Sequence, residues 1–398
     1  MKRIILFKGN GICYNTLNIF ADIVSGELSK LGIESGFVDL SLPADELGDN
    51  FEDEVKKGCD AFLGFNIGDV LFGCENLFNY LKKPVFDWIV DHPCEHAPVI
   101  QNNINDFNVI CLDRDHKIFI EKYLEGINKV AFIPLGGYYA PETVAGQSEL
   151  PFGRDQFESR RYDISFTASH IPLPGIMNKI DSLPDRMRKI SLTIIDYLKQ
   201  NRDSTNEEAL IYALNEVIGT KDVGNEIIRK IGFYTKTALF YMRQYVREEF
   251  VKNLIKSGVE AHLFGVGWEE LEGEGLGNII IHAPISYEET SHIAYDSRIS
   301  INILPWFKNG LHDRIPTSML KGSAVFTDTN KYINEDFSLA EDRELITFDM
   351  KDPESAPAIL EAFAKDRDKL YDIAVRGRKK AKERFGWNSR VREFLSLL

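Results

Sequence analysis

The stretch NGLHDRIPTSMLKGSAVFTD, residues 309–328, reads as a glycine-led loop, a short helix, a glycine stop and a buried strand. Leu311, Ile315 and Met319 recur at helical spacing, and Gly322 suits the position after a helix. Pro316 falls in the first turn, where no intrahelical N–H is required. His312 or Asp313 can cap the helix start, and Arg314 beside it adds a cation with a two-pronged donor fork. Read as structure alone, this is a capped turn between strand and helix. At the carboxyl edge of a parallel sheet, the same loop offers unpaired N–H groups and positive charge to a diphosphate.

Around this stretch the pattern repeats. YDISFTASH (162–170), EAHLFG (260–265), NIIIH (278–282), RISINIL (298–304), AVFTD (324–328) and ELITF (344–348) are strand-like, with helical patterns between them. The first 135 residues behave likewise: RIILF (3–7), ESGFVDL (34–40), DAFLGF (60–65), PVFDWIV (84–90), FNVICL (107–112) and KVAFIPL (129–135) alternate with helices. Asn15 to Leu31 is the clearest of these, entered through the loop KGNGICY and stopped by Gly32. Strands separated by helices imply parallel, doubly wound sheets.

Residues 136–160 lose periodicity and gain glycine, proline and charge, as a linker does. Residues 183–256 are helical throughout, and 353–398 form two or three helices. The expected α/β layout is a first Rossmann-like domain over 1–150 and a second over 160–385 with a helical insertion at 183–256. A helix at 386–398 is free to cross back to the first domain.

Lys plus Arg is 47 against 61 for Asp plus Glu, a net charge of −14, so a nucleic-acid backbone gains no long-range attraction and is not an expected partner. No run of some 18 apolar residues marks a membrane span, and MKRIILFKGNG breaks off too early for a signal peptide. The expectation is a cytoplasmic protein. Its five cysteines, 13, 59, 74, 94 and 111, contain no CxxC pair and read as reduced, mostly buried thiols.

Two further loops carry chemistry. FGVGWEELEGEGLG (264–277) offers Gly265 and Gly267 as flexible backbone, and Trp268 as a stacking or packing surface for a nucleobase. The bland alternative is a glycine-rich surface loop. FDWIVDHPCEH (86–96) ends a strand in Asp91 and His92, placed to serve as a base or to hold a sugar hydroxyl. His92, Cys94 and His96 alternate, but no fourth ligand with zinc spacing accompanies them, so no metal is expected. There is no GxxxxGK[ST] loop, KGNGIC lacks the last glycine of GxGxxG, and no GxSxG elbow occurs.

Together, YDISFTAS (162–169), LFGVGW (263–268), SRISINILPW (297–306) and GLHDRIPTSMLKGSAVFTD (310–328) resemble the GT-B glycosyltransferases, more narrowly the spore maturation protein/CgeB-like family. DWIVDHP (87–93), FIPLGG (132–137) and FGWNSRVREFL (385–395) extend the likeness to both ends. The resemblance implies two Rossmann-like domains facing a cleft. The second would hold a nucleotide diphosphate sugar, a UDP-sugar being favoured, and the first an unidentified glycan, protein or small-molecule acceptor, without cofactor or metal.

The donor loop would comprise Asn309, Gly310, His312, Asp313, Arg314, Thr317 and Ser318 together with Gly265, Gly267 and Trp268, while Lys321 is expected in solvent. Asp91 or His92 would be the base if the reaction inverts; if it retains, His92 would hold the transferred sugar. Where wider retaining families carry two glutamates eight positions apart, this sequence has Asn309 and Thr317. A non-catalytic binding protein, or an epimerase or hydrolase, remains open on the same fold.

Overall fold

The computed structural model describes residues 3–9, 15–100, 102–138, 152–219, 223–303, 307–340 and 342–398. The chain divides into two compact units, the first of 1–135, 224–234 and 387–398, the second of 136–223 and 235–386.

In the first unit β1 (Arg3–Lys8), β2 (Glu34–Asp39), β3 (Ala61–Phe65), β4 (Val85–Ile89), β5 (Phe107–Cys111) and β6 (Lys129–Phe132) form a parallel sheet in the order β2-β1-β3-β4-β5-β6. β3, β4 and β5 are buried along their whole length, which is why they read as unbroken apolar runs. One face packs Ile5, Phe7, Phe62, Val85 and Val109 around Phe78. On the other, Trp387 from the helix Trp387–Leu395 lies against Phe20, Phe65 and Trp88, with ring centroids 5.3, 6.3 and 5.8 Å away. The helix Asn225–Tyr234, from the region expected to be an insertion in the second domain, also packs in this unit, with Asn225 Nδ2 donating to Lys122 O at 3.1 Å.

In the second unit β7 (Tyr162–Thr167), β8 (Ala261–Phe264), β9 (Ile279–His282), β10 (Ser297–Asn302), β11 (Ala324–Asp328) and β12 (Ile346–Phe348) form a parallel sheet in the order β12-β11-β10-β7-β8-β9. The winding reverses between β7 and β10, and that crevice at the carboxyl edge is where open α/β sheets bind ligands. The helices Asp185–Gln200 and Lys236–Ser257 pack against each other in this unit. Most of the expected linker, 139–151, lies outside the described residues, as do most of the KGNGICY loop with Cys13, and residues 304–306 of SRISINILPW.

Among the described residues no helix is long and apolar enough to cross a membrane. Cys94 and Cys111 are buried thiols, Cys59 is half-buried and Cys74 is exposed.

Candidate functional site

The 307–313 loop leaves β10 at the winding reversal. Asn330 pins it, donating through Nδ2 to Phe307 O (2.9 Å) and Gly310 O (3.0 Å) while its Oδ1 accepts from Ile333 N. The helix Arg314–Leu320 follows, ended by Gly322 in the left-handed region at φ 73°. A side chain there is excluded twice over, since a Cβ would meet the Phe152 ring at 2.3 Å.

Asp313 does not cap this helix through its side chain. Its carboxylate is committed sideways, with Oδ1 2.6 Å from His312 Nδ1 and Oδ2 accepting from Tyr287 Oη at 2.6 Å. Burial alone would raise the Asp313 pKa, but His312 and Tyr287 outweigh it and hold the group at about 2. The Nδ1 to Oδ1 distance requires the imidazole proton on Nδ1, so the Arg314 amide 3.2 Å from the same nitrogen is a near neighbour rather than a second donor to it. Nε2 is thereby left as the ring's lone-pair nitrogen, on a side chain 24 % exposed.

Arg314 reaches across the crevice and donates from Nη1 to Thr167 O, at the end of β7, at 2.8 Å. Two more arginines join it from the helix Lys236–Ser257. One face of that helix grips the loop after β7: Gln244 Oε1 accepts from Ile171 N (3.1 Å), Arg247 Nη1 donates to Ser169 O (3.2 Å), and Glu248 Oε2 lies 3.3 Å from His170 Nε2. Arg243 and Arg247, four residues apart, share this face. Burial lowers the pKa of both Arg247 and Arg314. Arg314 and Arg243 act on Arg247 with like charge, whereas Asp313 partly compensates Arg314. Three guanidinium groups thus lie within electrostatic reach of one another in a protein that is strongly acidic overall.

The remaining donor-loop residues divide sharply. Thr317 is buried and its Oγ1 accepts from Tyr138 N at 2.9 Å; Ser318 is also buried, its carbonyl accepting from Ser323 N. Asn309 is half-buried beside the pinned Gly310. Lys321, expected in solvent, is 2 % exposed. Trp268 is 0 % exposed and donates from Nε1 to Ala168 O at 2.6 Å, so it packs and offers no stacking face. Gly265 and Gly267 let two loops touch backbone to backbone, since Cβ atoms there would stand 2.3 Å from Ala168 O and 2.0 Å from His170 O.

In the first unit Asp91 follows β4 at the carboxyl edge, its side chain 38 % exposed and accepting from Asn66 Nδ2 at 2.9 Å. His92 turns the other way. It is 5 % exposed against His116 and Phe119, its Nδ1 accepts from Cys94 N at 3.2 Å, and burial keeps its pKa far below the ordinary histidine value. As a buried neutral ring it is no accessible base and no sugar ligand. Among the described residues no group of three His, Cys, Asp or Glu side chains is arranged to hold a metal.

Residues 243–396, less than half of the chain, match a family described as glycosyl transferase-like. Full-length structural neighbours include an α-glucosyltransferase in complex with UDP and DNA, with TM-score 0.59 and 11 % identity over 99 % of this chain and 98 % of that one. Sucrose-phosphate synthase from Thermosynechococcus elongatus has TM-score 0.56 and 10 % identity over 100 % of this chain and 98 % of that one. Anabaena HepE in complex with UDP-glucose has TM-score 0.54 and 14 % identity over the whole of both chains. The fold is that of the GT-B glycosyltransferases. No curated protein sequence matches the chain.

Arg243 and Arg247 were not among the residues the sequence singled out. The available signal was that the apolar residues of Lys236–Ser257 lie all around the helix, Ala238, Tyr241, Met242, Val246, Phe250 and Leu254 being buried. Such a helix is enclosed on several sides, and its arginines cannot all project into water.

Proposed function

We propose that this protein is a glycosyltransferase, moving a sugar from a nucleotide diphosphate sugar held by the second unit to an acceptor nucleophile held by the first. The observation that carries the reading is the cluster of Arg243, Arg247 and Arg314 at the winding reversal of the second sheet. A diphosphate can accept charge-assisted bonds from this cluster, and the same guanidinium groups stabilise the charge that develops on the departing diphosphate. They do so without a divalent ion, which makes the transfer metal-independent. His312, oriented by Asp313, offers Nε2 to a hydroxyl of the transferred sugar. Asp91 is the base for an inverting transfer, and His92 is set aside.

UDP is the favoured nucleotide, in keeping with the UDP and UDP-glucose complexes among the structural neighbours. The CgeB-like branch is the narrower placement, on the motifs quoted above. Binding without transfer is the second reading, favoured by Thr317, which stands where retaining relatives would have a glutamate and is itself buried on Tyr138.

Calorimetry of wild type and Arg314→Ala with UDP and with uridine tests the donor site. UDP should lose affinity far more than uridine in the variant. Equal loss for both ligands makes Arg314 structural, and no binding of any nucleotide diphosphate to wild type ends the reading.

A further inference from the structure

Asn66, at the exit of β3, sits in the left-handed region at φ 52°. From there its Oδ1 accepts from Val90 N at 2.9 Å while its Nδ2 donates to Asp91 Oδ2, so one side chain fixes both the backbone and the carboxylate at the exit of β4. The turn Pro93–Glu95 then folds the chain back and brings His96 Nε2 to 3.6 Å from the same Asp91 oxygen. A second carboxyl lies deeper. Asp87 is 1 % exposed, its Oδ1 accepts from Ile67 N at 3.0 Å, and its Oδ2 has no hydrogen-bond partner among the described residues. The side chains of Asp91 and His96 are 38 % and 18 % exposed, so the three groups grade from water into the interior.

We propose that Asp91 and His96 form a carboxylate–imidazole relay, with Asp91 taking the proton of the incoming acceptor and His96 acting as the positioning residue that shares it. This deepens the transferase reading above and rests on it. As the acceptor attacks, its nucleophilic atom bonds to the sugar's anomeric carbon. The bond from that carbon to the diphosphate breaks, and its electron pair leaves on the diphosphate oxygen. The acceptor proton passes to Asp91 and is shared with His96 Nε2.

At 3.6 Å the pair is not hydrogen-bonded, but catalytic contacts tighten when substrate arrives, and here a small rotation of either side chain closes the gap. Asn66 holds Oδ2 from one side and His96 faces it from another, so the carboxylate is oriented between them. His96 is also the only histidine of this loop with an acidic neighbour so placed, because His92 points into the core and bonds the Cys94 amide.

The charged surroundings favour a proton on His96. Burial alone lowers its pKa, but Asp91, Asp87 and Glu95 together raise it above the ordinary histidine value. The neighbouring rings His92 and His116 are kept neutral by burial. Asp69 acts on Asp87 with like charge. On the packed helix Asn225–Tyr234, Lys230 pairs with Glu226 at 2.6 Å and Arg229 with Glu125 at 3.7 Å.

The test uses the full chain as wild type, His96→Gln and Asp91→Asn, with UDP-glucose as the donor probe. UDP affinity is measured by calorimetry, UDP release is followed against pH, and the His96 ring is titrated by NMR. Both variants should bind UDP as wild type does. Release should slow about tenfold in His96→Gln, less than the ~10²-fold expected for loss of the base itself in Asp91→Asn. The wild-type rate should rise with pH through a limb that matches the His96 titration and vanishes in His96→Gln, and the His96 pKa should fall in Asp91→Asn. A His96→Gln enzyme that keeps the wild-type rate and limb overturns the relay, as does a His96 titration unmoved by Asp91→Asn. If wild-type protein neither binds UDP nor releases it from UDP-glucose, the donor reading fails instead, and the NMR titration alone decides whether the pair exists.

Discussion

Replacing Arg247 by methionine separates anion binding from structural support. Methionine keeps most of the apolar stem and removes the charge. In the folded protein the loss includes the side-chain bond to Ser169 O at 3.2 Å, worth about 1 kcal/mol. Against it stands relief from burying a third guanidinium beside Arg243 and Arg314. These effects oppose each other, so unfolding in urea should give a stability within about 1 kcal/mol of wild type. UDP binding loses a charge-assisted contact of about 1.5–3 kcal/mol. At about 1.4 kcal/mol per decade, that weakens Kd by roughly 10- to 150-fold, while uridine is unaffected. Calorimetry with the two ligands, beside the urea curve, reads both effects. A stability loss of more than about 3 kcal/mol with equal weakening of UDP and uridine refutes the reasoning, because it makes Arg247 a strut of the β7 loop.

Asp313→Asn should cost about 2 kcal/mol at pH 7, from a carboxyl held at about 2 against an ordinary value of 3.8. Because the folded-state pKa is depressed, that contribution is present above the ordinary carboxylate range and is lost as pH falls, so the wild-type and variant unfolding curves should converge between about pH 4 and pH 2. Trp387→Ala should destabilise by about 3–5 kcal/mol, read as a fall in Tm, because it empties the space between Phe20, Phe65 and Trp88. Gly267→Ala forces a Cβ to 2.0 Å from His170 O at φ 86° and should cost at least about 2 kcal/mol by chemical denaturation.

Strands were legible because parallel sheets covered on both faces leave unbroken apolar runs, as in AFLGF and VFDWI, and the end of each run coincides with a turn. The loop and helix around Arg314 were legible for the same reason, since Gly310, Pro316 and Gly322 mark their joints. Of the two roles the sequence left open for Trp268, stacking or packing, it has the second, although glycines on either side of Val266 suggest an open loop. Here they mark the opposite, two backbones in contact. His92 was misread because alternation continues past the end of β4, turning Asp91 outward and His92 inward. The α-helical arginines were hidden for a different reason. An arginine within a helix normally reaches water, and only the packing of Lys236–Ser257 against the β7 loop brings Arg243 and Arg247 toward Arg314.

Trp387 gives the first unit a condition on its assembly in time. A ribosome that has finished β6 has made the whole first sheet, yet the tryptophan that fills one side of it comes roughly 250 residues later, on the order of 10–50 s at usual elongation rates. Until then Phe20, Phe65 and Trp88 lack the ring they pack against. A fragment ending at Leu135 would keep that gap permanently, and the first unit should therefore be studied with its distant segments supplied, either in the intact chain or as a separate peptide.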